Sequence, residues 1–176
     1  MDDTELRRQL ETCHHQSYGW ALQCCERDRS EAEDVLQTAY LKVLDGRARF
    51  DGRSSFATWL FGVIRRTAWD ERRRRIVRFV RHQPLSDDLP LSTGGEKTDA
   101  AAVVEGPERR ALLERALGEL SRRQREVLLL VFYHERTVEE AALILGVGVG
   151  SARTHYARGK ERLRELLRNL EVRNEA

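Results

Sequence analysis

The sequence predicts an all-α protein made of two small helical domains joined by a flexible linker. Three observations predict it. Apolar residues recur at spacings of three and four along most of the chain, the period of amphipathic helices. Ser30–Glu33, Ser121–Gln124 and Thr137–Glu140 each match the capping box, in which a hydroxyl and an acid or amide hold the first amides of a helix. Between Pro84 and Pro107 the periodicity gives way to Ser, Asp, Gly, Thr and Pro, as in SDDLPLSTGGEKTD, the composition of a linker. The expected division is therefore a domain at 1–83, an acidic linker at 84–107, a domain at 108–170 and a short tail at 171–176. A chain of 176 residues, 34% charged and 7% aromatic, suits two modest helical cores better than one large α/β enzyme.

From Thr4 to about Cys25, the residues Leu6, Leu10, Cys13, Ser17, Trp20, Ala21 and Cys24 form one apolar stripe, so a helix is expected. Ser30 and Glu33 open a second helix, from about Glu31 to Leu44, that buries Val35, Leu36, Ala39, Tyr40 and Val43. Glu33, Asp34, Gln37 and Lys42 are left mainly outward. The turn-rich FDGRSS follows, with Ser54 or Ser55 as the next cap. A long helix then buries Phe56, Trp59, Leu60, Val63, Ile64 and Ala68. Its continuation carries Arg65, Arg66, Arg72, Arg73, Arg74, Arg75, Arg78 and Arg81, with Trp69 among them. Charges this dense repel one another unless an anionic partner neutralises them, and an aromatic ring beside arginine suits stacking on an unpaired base. Trp59 reads as core; Trp69 fits core or contact equally.

After the linker, Pro107 suits the first turn of a helix carrying Ala111, Leu112, Ala116, Leu117 and Leu120. Ser121 and Gln124 cap the next, with Val127, Leu128, Leu130 and Val131. Thr137 and Glu140 then cap a short helix bearing Ala141, Ala142 and Leu145, which Gly146 ends where the backbone needs a positive φ. Beyond Gly146-Val147-Gly148, a last helix puts Val149, Ala152, Tyr156, Gly159, Leu163 and Leu166 on one face. Ser151, Arg153, Thr154, His155, Arg158 and Lys160 lie on the other. Two short helices about a glycine turn, the second basic outward, describe a helix-turn-helix. Ala142 leaves room for the two helices to cross closely.

Other classes are disfavoured. The net charge of +2 is small, but arginines cluster after Arg65 and after Arg153, and a local basic face binds phosphate whatever the total. No apolar run approaches the ~20 residues that span a bilayer, and MDDTELRRQLE lacks an apolar signal core, so a cytoplasmic protein is expected. Cys13, Cys24 and Cys25 are odd in number, and two are adjacent, so reduced thiols are expected. Cys13 and His14 point about 100° apart on a helix and no C-x-x-C is present, so no metal site is expected. Asp34, Asp51, Asp70 and Glu71 form no acid–base pair, and there is no phosphate loop or nucleophile motif. Neither catalysis nor a cofactor is expected.

The stretches AEDVLQTAYLKV, FDGRSSFATWLFGVIRR and LSRRQREVLLLVFYHERTVEEAALILGVGVGSARTHYARGKERLREL, in this order and spacing, resemble the extracytoplasmic-function (ECF, group IV) sigma factors of the sigma-70 family. These have only region 2 and region 4. The resemblance implies a factor that binds core RNA polymerase, directs it to −35 and −10 promoter elements and starts promoter opening. It assigns 1–83 to region 2 and 108–170 to region 4. Asp34, Gln37, Thr38 and Leu41 match the helix that docks on the β′ clamp helices; Thr38 replaces a usual acid and Leu44 a usual Trp. Arg65, Arg66, Trp69, Arg72 and Arg73 match the −10 reader, with Gly62 and Arg66 replacing the usual Arg and Asn. Ser151, Arg153, Thr154, Ala157, Arg158 and Lys160 match the −35 reader, in which Gly148 replaces the usual Ser or Pro-type start. The implied partners are the polymerase core, through the β′ clamp helices and the β flap, promoter DNA, and an anti-sigma factor. The alternative is a stand-alone helix-turn-helix transcriptional regulator, which would bind a palindromic duplex without polymerase.

Overall fold

The computed structural model describes residues 2–82 and 106–174, with side chains at 79–82, 107–108 and 170–174 left aside. Most of the expected linker lies outside the described residues, as do the last two residues of the tail. Seven helices and no strand occur among the described residues, in two compact units, 1–98 and 99–176.

The first unit packs α1 (Asp3–Cys24), α2 (Arg29–Leu44) and α3 (Phe56–His82) against one another. Its centre is Trp20, fully buried and stacked on Phe61 with 5.8 Å between ring centroids. The indole Nε1 donates to the Phe61 carbonyl at 3.0 Å, so the polar edge of the largest core side chain is satisfied inside the apolar layer. Leu60, Ile64, Val35, Ala39 and Ala21 complete the layer. Leu6 and Cys13 are only half-buried at its margin. Phe50, Phe56 and Trp59 form a satellite aromatic cluster with centroids 5.4–5.5 Å apart, which leaves Trp59 half-buried at the rim of the core.

The start of α2 differs from the sequence expectation. Asp28, not Ser30, is the N-cap: its Oδ1 accepts from the Glu31 amide at 2.9 Å, and Ser30 lies exposed within the first turn. The cause is the tight link from α1. Glu26 and Arg27 take left-handed backbone at φ 55° and 70°, and the Arg27 amide closes α1 on the Leu22 carbonyl at 2.8 Å. The chain is then extended at Asp28, where a carboxylate also suits the positive end of the helix. Ser55 caps α3 as expected, its Oγ accepting from the Thr58 amide at 3.2 Å.

In the second unit α7 (Val149–Asn174) packs on α4 (Pro107–Gly118), α5 (Arg122–Phe132) and α6 (Val138–Leu145). Pro107 lies in the first turn of α4. Both expected capping boxes form, Ser121 with Gln124 and Thr137 with Glu140. Gly146 ends α6 at φ 62°, and the Val147 amide returns to the Ala142 carbonyl at 3.0 Å. Gly159 is where α7 meets α5: a Cβ there would stand 3.2 Å from Gln124 Cβ and from Leu128 Cδ1. Ala142 and Ala152 are buried as expected. Val149 is not; it is 38% exposed, because the first turn of α7 stands clear of the core, with 148–151 all exposed. Helix α7 also runs through Asn174, into the expected tail.

His134 is buried in the link between α5 and α6, its ring edge-on to Tyr133 at 4.9 Å. Burial, with the Arg136 charge nearby, lowers its pKa to about 4, so the imidazole is neutral at pH 7. Glu135 follows in left-handed backbone at φ 53°.

Candidate nucleic-acid and polymerase interfaces

Three outward faces carry the site residues that the sequence singles out, two on the first unit and one on the second. On α2, residues 34, 37, 38 and 41 are spaced i, i+3, i+4, i+7 and so line one side of the helix. Asp34 and Gln37 are exposed, Thr38 is half-buried and Leu41 is 47% exposed. The opposite side of α2 buries Ala32, Val35, Leu36, Ala39 and Val43. An exposed leucine within a polar, acidic stripe is a surface suited to a partner with apolar and basic groups.

On α3 the open stripe is Arg66, Trp69, Arg73 and Ile76. Trp69 is 54% exposed, which places it on the surface rather than in the core. Arg65 lies half-buried at the stripe's edge. Arg72 is also half-buried, and its guanidinium is paired with Glu26 in the α1–α2 link. One turn on, Arg75 pairs with Glu31 at 3.0 Å, and Arg74 pairs with Glu71 at 2.7 Å. The arginine-dense helix therefore has internal counter-charges on one side and open basic surface on the other. Beside the open stripe lies a shallow groove of about 500 Å³ lined by Asp70, Arg73, Arg74, Val77 and Arg78. Lys42 reaches across from α2 to donate to Thr67 Oγ1 at 3.0 Å, tying the end of the α2 stripe to the start of the α3 stripe.

On α7, Ala152 and Gly159 face the core, while Thr154, Ala157 and Arg158 are exposed on the far side. Ser151 and Arg153 are also exposed, one at each flank of that face, and Lys160 is half-buried. The Lys160 ammonium sits 4.5 Å over the Tyr156 ring, and that ring stacks on Phe132 with centroids 5.9 Å apart. The Thr154 hydroxyl donates to the Gly150 carbonyl at 3.0 Å. Arg153 donates through Nη2 to Glu139 Oε1, one helix back, at 2.8 Å. Glu139 was not among the residues the sequence singled out, and neither were Glu26 and Glu31. Each looks like an ordinary acid in or beside a first turn, and only the fold brings it to its arginine. A helix face of this kind, with small and cationic residues outward, is of a shape and charge that suit the major groove of duplex DNA.

Comparison with known proteins identifies the family. Residues 10–76 match the sigma-70 region 2 family and residues 110–163 match sigma-70 region 4. The sigma factor CarQ of Myxococcus xanthus is 33% identical over 149 residues, covering 83% of this chain and 80% of that protein. The chain is an ECF member of the sigma-70 family. The ECF sigma factor SigX of Bacillus subtilis is 30% identical over 173 residues, covering 92% of this sigma factor and 87% of SigX. Among solved structures, the sigma factor RpoE from Bartonella quintana, bound to the anti-sigma factor NepR, shares the fold. Its TM-score is 0.66 at 23% identity, with 93% of this sigma factor and 97% of that chain covered. CnrH, in complex with the cytosolic domain of CnrY, gives a TM-score of 0.62 at 20% identity, covering 96% and 90%. As a sigma factor the protein binds core RNA polymerase and promoter DNA, and it is not an enzyme: the polymerase carries the chemistry. Among the described residues no helix is long and apolar enough to cross a membrane.

Proposed function

We propose how this sigma factor divides its task among its residues. Region 2, at 1–83, docks on the β′ clamp helices through Asp34, Gln37, Thr38 and Leu41, and engages the −10 element through Arg65, Arg66, Trp69, Arg72 and Arg73. Region 4, at 108–170, reads the −35 element through Ser151, Arg153, Thr154, Ala157, Arg158 and Lys160, and meets the β flap. The segment 84–107 joins them, and 171–176 is the tail. The observation that carries this reading is the open face of α7, where Thr154, Ala157 and Arg158 point away from the buried Ala152 and Gly159. Neither region need bind DNA tightly alone, because docking on polymerase raises the effective concentration of both.

Opening the −10 element requires a surface that holds single strands better than duplex. Arg66 and Arg73 follow the phosphates, and the exposed Trp69 ring between them supplies a stacking plane for an extruded base. Arg72 would first exchange its bond to Glu26 for a phosphate. The protein works in the cytoplasm, where polymerase is. An anti-sigma factor that covers both regions is the further partner, as RpoE has NepR.

Reconstitution with bacterial core polymerase on a promoter library tests the assignment. Start sites sharing two upstream elements, with permanganate-reactive thymines near −10, are expected. Arg158→Ala should lower −35-dependent transcription by about five- to 100-fold, the worth of one good base contact, and leave core binding intact. Asp34→Ala should do the reverse. Equal loss of core binding in Arg158→Ala would overturn the assignment of the α7 face. Tight, polymerase-independent binding to a palindromic duplex, without transcription, would show a stand-alone regulator's behaviour.

A further inference from the structure

We infer that Glu139 is a positioning residue for promoter reading: it holds the Arg153 guanidinium in the orientation that meets a base edge, and so sets base preference rather than affinity. The inference rests on the assignment of Arg153 to the −35 interface.

Glu139 on α6 and Arg153 on α7 meet across the glycine turn. Arg153 and Glu139 are fourteen residues apart, and the glycine turn between the helices brings Nη2 to 2.8 Å from Oε1. Both side chains are largely exposed, at 67% and 54%, so the pair contributes little to folding. An exposed ion pair on a face meant for DNA calls for another explanation. The carboxylate repels phosphate, and by itself it would weaken binding at every sequence. Its partner, however, keeps most of its capacity. A guanidinium has five N–H donors in a planar fork, and one is used on Glu139. Enough remain for a bidentate contact to guanine O6 and N7.

Arg153 stands at the flank of the α7 face, next to α6, from where an unrestrained side chain could swing to the phosphate backbone. A phosphate contact holds the protein on any sequence, whereas a base contact selects one. Glu139 opposes the phosphate rotamer twice, by bonding the guanidinium and by placing a negative charge beside the backbone. Glu139 is itself fixed in the first turn of α6, where Thr137 and Glu140 close the capping box. The chain of support therefore runs from cap to acid to arginine to base.

The test uses the full-length chain with core polymerase on a library randomised through the −35 element, reading transcripts per sequence and salt dependence. Wild type, Glu139→Gln, Glu139→Asp, Arg153→Ala and the Glu139→Gln/Arg153→Ala double variant are compared. Arg153→Ala should flatten preference at one or two base pairs. Glu139→Gln should weaken preference at those same positions by about two- to tenfold, the worth of ordering one long side chain, with total binding unchanged or raised. Glu139→Asp should restore part of the preference, and the double variant should match Arg153→Ala alone. If Glu139→Gln instead raises binding uniformly and leaves preference intact, the carboxylate acts only as a charge and the inference falls. If Arg153→Ala alters no −35 preference, the underlying assignment of Arg153 fails, and the inference with it. Core binding should be the same for all variants; a shared loss would indicate damage to the fold, and would overturn a role confined to positioning.

Discussion

The buried imidazole of His134 makes the stability of region 4 depend on pH near neutrality. In the unfolded chain this side chain takes up a proton around its ordinary value of 6.5; in the fold it does so only at about 4. Between those values the unfolded chain holds more protons, so stability is fully present above pH 6.5 and is lost as pH falls toward 4. The full gap is worth on the order of 3 kcal/mol, and going from about pH 7 to about pH 5 removes about 2 kcal/mol of it. For a four-helix unit of this size that is a large part of the total. Urea unfolding followed by far-UV circular dichroism, with amide exchange at Leu128 and Leu130 in the core of α5, measures the change. Tryptophan fluorescence supplies an internal control, because Trp20, Trp59 and Trp69 all belong to region 2. His134→Phe keeps an aromatic ring against Tyr133 and cannot titrate, so its stability should be flat over the same interval whatever its absolute value. A flat wild-type profile, or a slope that survives in His134→Phe, would refute the reasoning.

Two further substitutions test the packing. Gly159→Leu forces side-chain atoms into the space held by Gln124 and Leu128, and chemical unfolding should show region 4 destabilised by about 1–3 kcal/mol; unchanged stability would mean α5 and α7 do not cross so closely. Trp20→Phe removes both the bond to the Phe61 carbonyl and part of the central ring stack, so region 2 should lose about 2–4 kcal/mol in a thermal or urea melt read by circular dichroism.

Most of the architecture was legible because the signals were local. The boxes at Ser121 and Thr137, the left-handed stop at Gly146 and the first-turn Pro107 each name their own place in a helix. Where two local signals competed, pattern alone chose badly. Ser30 and Glu33 satisfy the capping formula, but left-handed backbone at Glu26 and Arg27 starts the helix earlier, at Asp28. Val149 keeps the helical period of a core residue while its turn projects beyond the core, which no one-dimensional pattern records. The outward face of α7 was likewise readable as a stripe, since exposure follows from period, whereas on α3 the period left Trp69 fitting core or contact equally. Charge pairing was not: Glu26 with Arg72, Glu31 with Arg75 and Glu139 with Arg153 join residues 46, 44 and 14 positions apart. Such pairs depend on how helices cross. The burial of His134 was hidden for a similar reason, as the polar run His134-Glu135-Arg136 between helices reads as surface.

The carboxylates that meet one side of α3 bear on how a free copy of the protein spends its time. A cell offers long tracts of DNA to any helix this rich in arginine, and each uncommitted cation strengthens attachment to arbitrary sequence. Glu26, Glu31 and Glu71 engage three of those cations within the protein itself. The unbound factor is thereby less sticky toward the chromosome and freer to diffuse until it meets polymerase. On the −10 role proposed for Arg72, a displaced strand has to outcompete Glu26 for its guanidinium, so part of the helix's basic character is held in reserve until a promoter is engaged.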